Sequence, residues 1–360
     1  MFKSIVLIPL FCVFVLGSSA QEKGQVKLPQ LAPGFVIKAD GKPIEVLVGH
    51  AAPYMIDFNG DGRKDLVVGE FGTDVVNSGR ARVYLNVGTD ENPQFKDFTY
   101  LQAGGRDAMI LSSCCIGFDP FFLDLNGDGI MDVTSGQYTG GYINFYEGVG
   151  KNVFQFKEGV NILQPELEDE ATRRNMKWWM RTANFIDYDG DGDYDMVWGN
   201  VHAEVYYAEN IGTRTAYKFA NSVPLTMDGH PIYVDGKSDP FPVDWDGDGI
   251  IDLLVAAESS DVVFFKGKKK GGTDFEPGVS IWTGRKLTPG VKPYFKNEMD
   301  ALAALGEQCP YPGYRTRLGV ADWNNDGKLD LLVGNCFKVA ADETGKGGGV
   351  SGSVYVFLRK

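Results

Sequence analysis

Asp57-Phe-Asn-Gly-Asp-Gly-Arg-Lys-Asp65 sets oxygen-bearing side chains at positions 1, 3, 5 and 9 of a tight turn, with glycine at position 6. The pattern returns as Asp124-Leu-Asn-Gly-Asp-Gly-Ile-Met-Asp132, Asp187-Tyr-Asp-Gly-Asp-Gly-Asp-Tyr-Asp195, Asp244-Trp-Asp-Gly-Asp-Gly-Ile-Ile-Asp252 and Asp322-Trp-Asn-Asn-Asp-Gly-Lys-Leu-Asp330. Successive copies start 57 to 78 residues apart, a period that suits one four-stranded blade of a propeller.

The surroundings repeat too. A short apolar run precedes each loop, as at Pro53–Ile56 and Phe121–Leu123, and another follows, as in Leu66-Val-Val-Gly69 and Leu331-Leu-Val-Gly334. A third run comes at Val83–Leu85, Tyr142–Tyr146, Val205–Tyr207, Val262–Phe265 and Val354–Leu358. β-Branched and aromatic runs bounded by Gly and Asn read as strands. We designate them A, B and C, with a fourth strand D expected near Phe95, Phe154, Tyr217 and Phe275. The fifth copy ends without a D strand, whereas Phe35–Asp40 is an orphan strand ahead of the first A. The expected fold is therefore all-β: a five-bladed β-propeller closed by its N-terminal strand, which limits exposed edges.

Residues 1–20 read as a secretory signal, with Lys3, an apolar stretch from Ile5 to Leu16 and a small-residue site at Ser18-Ser19-Ala20. Residues 21–360 then form a single domain, secreted, periplasmic or at the cell surface. No later stretch has the length of apolar sequence that spans a bilayer. Without Lys3 the net charge falls from −13 to −14, which argues against nucleic acid as a partner.

The repeated loops fit calcium, which takes six to eight oxygen ligands in a flexible cage. Side-chain ligands are expected at Asp57, Asn59, Asp61 and Asp65; Asp124, Asn126, Asp128 and Asp132; Asp187, Asp189, Asp191 and Asp195; Asp244, Asp246, Asp248 and Asp252; and Asp322, Asn324, Asp326 and Asp330. Position 7 varies (Arg63, Ile130, Asp193, Ile250, Lys328), as expected if only its carbonyl binds. An EF-hand would need a glutamate at position 12, where this chain has Val68, Ser135, Trp198, Val255 and Val333. The side-chain ligands include 17 carboxylates, so about five Ca²⁺ are expected to relieve their mutual repulsion.

These loops with their Gly-bearing strands resemble FG-GAP repeats, also described as VCBS repeats. Phe71-Gly72 and Ala51-Ala52-Pro53 loosely carry the family's Phe-Gly and Gly-Ala-Pro signatures. The resemblance covers nearly all of the chain after the signal. It implies a calcium-binding propeller of the kind found in integrin alpha subunits, bacterial surface proteins and some fungal lectins. Integrin propellers have seven blades, so their partners do not carry over.

With all five loops on one face, the residues entering A and leaving B gather at the other. Entering A are His50, Asp119, Arg181, Lys237, Asp239, Arg315 and Arg317; leaving B are Glu70, Gln137, Asn200, His202, Glu258 and Asn335. Trp178, Trp179, Tyr311 and Tyr314 stand nearby in sequence. The expected ligand mouth comprises His50, Glu70, Trp178, Trp179, Arg181, His202, Tyr314 and Arg315. Cations beside aromatics suit an acidic sugar or a protein carboxylate, although the same groups could pair and pack among themselves. Cys309 and Cys336 should lie at one end of the fifth blade and form a disulfide, leaving Cys114-Cys115 as a vicinal pair. The leading expectation is a binding or adhesion module for a glycan or protein partner. The alternatives are a polysaccharide lyase at the mouth, with His50, His202 or Tyr314 as base and an Arg on the substrate carboxylate, a glycoside hydrolase with Glu70, Asp119, Asp239 and Glu258 as candidate carboxylates, and a structural role in a surface assembly.

Overall fold

The computed structural model describes residues 28–47, 49–71, 79–110, 116–150, 154–162, 180–258, 261–283, 314–339 and 349–360. The expected signal, Trp178, Trp179, Tyr311, Cys114, Cys115 and Cys309 lie outside them. After a first strand β1 (Phe35–Val36), each Asp loop joins two antiparallel strands of its own sheet. Sheet 1 runs β2 (Ala52–Ile56), β3 (Asp65–Glu70), β4 (Arg80–Asn86) and β5 (Phe95–Tyr100). Sheet 2 is β6 (Pro120–Leu123), β7 (Asp132–Gly136), β8 (Ile143–Tyr146) and β9 (Val160–Ile162). Sheet 3 is β10 (Thr182–Ile186), β11 (Asp195–Gly199), β12 (Val205–Ala208) and β13 (Val223–Pro224). Sheet 4 is β14 (Ser238–Val243), β15 (Asp252–Ala257), β16 (Asp261–Phe265) and β17 (Val279–Thr283). Sheet 5 contains β18 (Tyr314–Ala321), β19 (Asp330–Val339) and β20 (Val354–Phe357), with β1 paired to β20 as Phe35↔Val356 and Val36↔Tyr355.

The B strands read as unbroken apolar runs because both faces are covered. Successive side chains on a strand point to opposite faces, and here each face meets a different neighbouring sheet. Leu66 and Val68 pack with Leu332, Val354 and Val356 of sheet 5, whereas Val67 packs with Phe122, Val133 and Tyr146 of sheet 2. Likewise Met196 and Trp198 face sheet 2 while Val197 faces sheet 4, and Leu331 and Val333 face sheet 4 while Leu332 faces sheet 1.

The spacing between sheets is set by one small residue, four places after each loop's last Asp. An added Cβ at Gly136 would lie 1.7 Å from the Arg181 carbonyl oxygen of sheet 3. At Gly334 it would lie 1.7 Å from the Ala51 carbonyl oxygen at the start of sheet 1. Backbone meets backbone at these seams, which a side chain would force apart.

The D strands depart from expectation. Phe95 does open β5, but the other three begin at Val160, Val223 and Val279, later than the expected Phe154, Tyr217 and Phe275. The reason is a tight reversal after strand C. The Val149 N–H donates to the Gln155 carbonyl and that of Ile211 to the Lys218 carbonyl, both at 2.8 Å. Asn210 Oδ1 accepts from Gly212 and Lys218 N–H. Phe156 and Phe219 drop from these reversals into the core, while Phe275 enters a two-residue strand, Asp274–Phe275.

Two-residue hairpins follow β1, β5 and β13: Lys38–Ala39 with Lys42–Pro43, Gln102–Ala103 with Arg106–Asp107, and Thr226–Met227 with His230–Pro231. Their central residues have positive φ throughout, as at Asp40 (48°) and Gly41 (75°), the turn that matches strand twist. Each first arm lies parallel to a core phenylalanine of the next sheet: Ala39↔Phe95, Ala103↔Phe156 and Met227↔Phe275. The segment after β1 thus relates to sheet 1 as the segment after β5 relates to sheet 2.

Candidate functional site

The Asp loops share one internal hydrogen-bond frame. In four of them the position-1 carboxylate accepts the N–H groups of positions 5 and 6; for Asp57 these are Asp61 at 3.1 Å and Gly62 at 2.9 Å. Asp124, Asp244 and Asp322 repeat the arrangement. Position 5 accepts from the N–H of position 7 in all five, at 2.8–3.1 Å. Gly62, Gly129, Gly192, Gly249 and Gly327 have φ between 81° and 99°, which explains the glycine at position 6.

Position 9 does something the sequence pattern did not announce. Its buried carboxylate accepts the N–H of position 2 at one oxygen and an N–H from the end of strand C at the other. Asp65 takes Phe58 (2.9 Å) and Asn86 (2.7 Å); Asp330 takes Trp323 (3.0 Å) and Arg359 (2.7 Å). Asp132, Asp195 and Asp252 do the same with Leu125 and Gly148, Tyr188 and Asn210, Trp245 and Gly267. These carboxylates tie loop to sheet. Burial raises their pKa values, to about 6 for Asp132 and Asp252 and about 7 for Asp195.

Neutralisation differs among the loops. Arg63 pairs with Asp61, Arg214 with Asp124 (3.1 Å), Lys266 with Asp246 and Asp248, and Lys328 with Asp326 (3.9 Å). Hydrogen bonds from Arg63 and Lys266 hold the Asp61 and Asp248 carboxyls below their usual range. Among the described residues no Lys or Arg pairs with Asp187, Asp189, Asp191 or Asp193. Oxygens of Asp187, Asp189 and Asp191 lie within 4.8 Å of one another, as do those of Asp244, Asp246 and Asp252. Asp193, expected to offer only its carbonyl, is just 8% exposed. Asp187 Oδ1, Asp193 Oδ1, Asp246 Oδ1 and Asn324 Oδ1 are buried without a hydrogen-bond partner. Buried oxygens of this kind are expensive to leave unpaired, and oxygen-only clusters are the donor set of a hard divalent cation.

At the other end the A strands lie side by side, and residues at equal distance from the five loops form layers. Three places before each first Asp come Tyr54, Phe121, Asn184, Phe241 and Gly319. Tyr54 and Phe121 rings meet at 5.5 Å, and Phe121 reaches Phe241 of the non-adjacent sheet 4 at 6.2 Å, plugging the centre. Five places before stand Ala52, Asp119, Thr182, Asp239 and Arg317. Arg317 lies 3.8 Å from Asp239 with both side chains buried. Burial, then the Asp239 charge, pushes the Asp119 carboxyl up to about 7.

Seven places before are His50, Gly117, Met180, Lys237 and Arg315. His50, Met180 and Arg315 have φ of 57–60°, a left-handed backbone that non-glycine residues rarely adopt. Arg315 Nη1 lies 2.9 Å from His50 Nε2. Glu258 pairs with Lys237 and with Arg315 Nε (3.5 Å). Burial first, then Arg317, Arg315 and Lys237, lower the His50 pKa well below the usual value.

A model of the FG-GAP-like repeat matches residues 57–133 and again 124–198. Residues 57–198 therefore carry FG-GAP-like repeats. A T-cell immunomodulatory protein homolog from Plasmodium falciparum (isolate 3D7) is 26% identical over 253 residues, covering 59% of the chain. The chain spans about a third (32%) of that relative's length. Among solved structures it is similar to the catalytic domain of a Coprinopsis cinerea GH62 alpha-L-arabinofuranosidase (11% identity, TM-score 0.48, 91% of this chain and 96% of that one). It is also similar to a subtype N11 neuraminidase-like protein of A/flat-faced bat/Peru/033/2010 (H18N11) (11%, 0.39, 92% and 95%).

Of the mouth residues expected from sequence, His50 and Arg315 meet, and Lys237, Glu258, Asp119, Asp239 and Arg317 join them. Glu70 is buried beside Arg82 (2.6 Å) and accepts from the Tyr100 hydroxyl (2.9 Å). Arg181 is buried over the Trp198 ring at 4.3 Å. His202 is exposed on the turn after β11, and Tyr314 is the first residue of β18. Cys336 is buried in β19. Among the described residues no helix is long and apolar enough to cross a membrane.

Proposed function

We propose that this FG-GAP chain is a secreted or cell-surface, five-bladed β-propeller, closed by its N-terminal strand and loaded with calcium, that holds a glycan or protein ligand at the end away from the metals. Closure is supported by the Phe35↔Val356 pairing, by the Gly334–Ala51 seam, and by apolar clusters between every consecutive pair of sheets, the fifth and first included. Calcium is supported by the donor set and the unpaired oxygens of Asp187, Asp193, Asp246 and Asn324. Residues at positions 1, 3 and 5 would hold the ion with the carbonyl of position 7, and position 9 would close the cage while tying it to strand C. The ion supplies positive charge that cross-links each loop.

One observation carries the binding reading. Left-handed residues at one repeat position converge with three cations and three carboxylates above an aromatic plug. Strained backbone concentrates where function fixes geometry, and such mouths are where propellers present ligand-facing loops. The test is a glycan and polysaccharide binding screen in calcium with product formation followed in parallel. Binding without turnover is expected; silence in both assays would leave only a structural role. Asp119 favours a second, enzymatic reading, because a carboxyl with a pKa of about 7 is suited to donate a proton at neutral pH.

A further inference from the structure

Lys237, Arg315 and Glu258 form the outermost charged group of the mouth. Their side chains remain 16%, 23% and 28% exposed, whereas Asp239 and Arg317 beneath them are 4% and 3% exposed. Glu258 touches both cations at once. Its backbone is fixed independently of that carboxylate: its N–H donates to the Lys237 carbonyl at 3.0 Å, and its carbonyl accepts the Arg315 N–H at 2.9 Å.

His50 adds the second observation. A guanidinium has donors only, so His50 Nε2, 2.9 Å from Arg315, accepts, and the neutral ring carries its proton on Nδ1. Nδ1 is buried and has no hydrogen-bond partner, in a side chain only 2% exposed. A donor is therefore waiting beside two cations. The His50 ring packs against the partly exposed Phe71 at 5.2 Å, with the two planes 31° apart.

We propose that Glu258 occupies the seat of a ligand carboxylate, and that the natural occupant is an acidic sugar that displaces it from Lys237 and Arg315. The proposal rests on the mouth reading above. The sugar carboxylate takes the two cations, a ring oxygen or hydroxyl accepts from His50, and the pyranose face lies against Phe71. Glu258 acts as an internal competitor, weakening binding and excluding neutral sugars.

Calorimetry of the full chain in calcium with oligogalacturonate, its methyl ester and an acidic peptide tests this. Glu258→Gln keeps the backbone bonds and should bind oligogalacturonate about tenfold more tightly, a gain of about 1.4 kcal/mol. The ester should bind neither form detectably. Arg315→Gln or Lys237→Gln should weaken the acid at least tenfold, with calcium-dependent melting retained as the folding control. If oligogalacturonate binds and Arg315→Gln or Lys237→Gln weakens it, but Glu258→Gln does not strengthen it, the competitor role is wrong and the mouth reading survives. If none of the three substitutions alters binding, both are wrong. Preference for the acidic peptide, or no binding of oligogalacturonate to either form, overturns the sugar assignment.

Discussion

Gly334→Ala tests whether sheet 5 meets sheet 1. The new methyl would sit 1.7 Å from the Ala51 carbonyl oxygen, where ordinary contact begins near 3.4 Å. Both partners are backbone, so the sheets must part by roughly 1.5 Å. A gap of even 0.5–1 Å forfeits a quarter to a half of a contact's dispersion energy. The seam covers Val46, Ala51, Leu66, Val68, Leu332, Val354 and Val356, all essentially without exposure. Overpacking of this kind costs roughly 1–3 kcal/mol and sometimes more; the stiffness of the contact puts the loss near 3–5 kcal/mol. Reduced unfolded-state entropy on adding the methyl returns only about 0.4–1 kcal/mol. Thermal melting in calcium should fall by roughly 5–10 °C. Gly229→Ala, outside the Asp loops, is the control, because its Cβ would meet nothing within 4 Å and carries only left-handed strain of about 1–2 kcal/mol. If Gly334→Ala melts with the wild type, the two sheets do not share this seam and the ring is not closed there.

Two further outcomes are expected. Excess chelator should lower the melting temperature, since each calcium site at a hundredfold excess over its Kd contributes about 2.7 kcal/mol; identical melting with and without chelator would remove calcium from the fold. Asp119→Asn should flatten the pH dependence of stability. The folded carboxyl holds its proton up to about pH 7, above the unfolded range, so its contribution is present at low pH and lost as pH rises from about 4 through 7. The loss is on the order of 4 kcal/mol by pH 8, and a wild-type-minus-variant difference constant with pH would refute it.

The Asp loops were legible because their pattern is local: the spacing of oxygen-bearing side chains, a glycine at the left-handed position and flanking apolar runs all fall within one short window. The B strands were legible for a related reason, since burial on two faces turns alternation into an unbroken run such as Leu66-Val67-Val68. The D strands were misplaced because an aromatic such as Phe156 or Phe219 reports burial without saying that it hangs from a reversal. A signal was available in Asp40-Gly41, Gly104-Gly105 and Asp228-Gly229, dipeptides typical of two-residue hairpins. The burial of Glu70 and Arg181 could not be read from position alone. Their direction depends on which side of a strand faces Arg82 or Trp198, a matter of three-dimensional packing.

The five copies divide their labour by position. Positions 1, 5, 6 and 9 are the same residue in every loop, and the seam position is glycine in four copies with Ala256 in the other. Seven places before the loops the residues are His, Gly, Met, Lys and Arg, and five before they are Ala, Asp, Thr, Asp and Arg. Five identical carboxylates or guanidiniums could not share one narrow axis, because like charges at such separations repel strongly. Divergence there is thus required by electrostatics, yet electrostatics alone would be satisfied by five small apolar residues. The chain instead places three cations and three carboxylates around the mouth, with a neutral histidine whose one free N–H lacks an acceptor. On the proposed closed ring, a near-symmetric scaffold would carry an asymmetric mouth, and an asymmetric arrangement of opposite charges is what recognition of one oriented ligand needs.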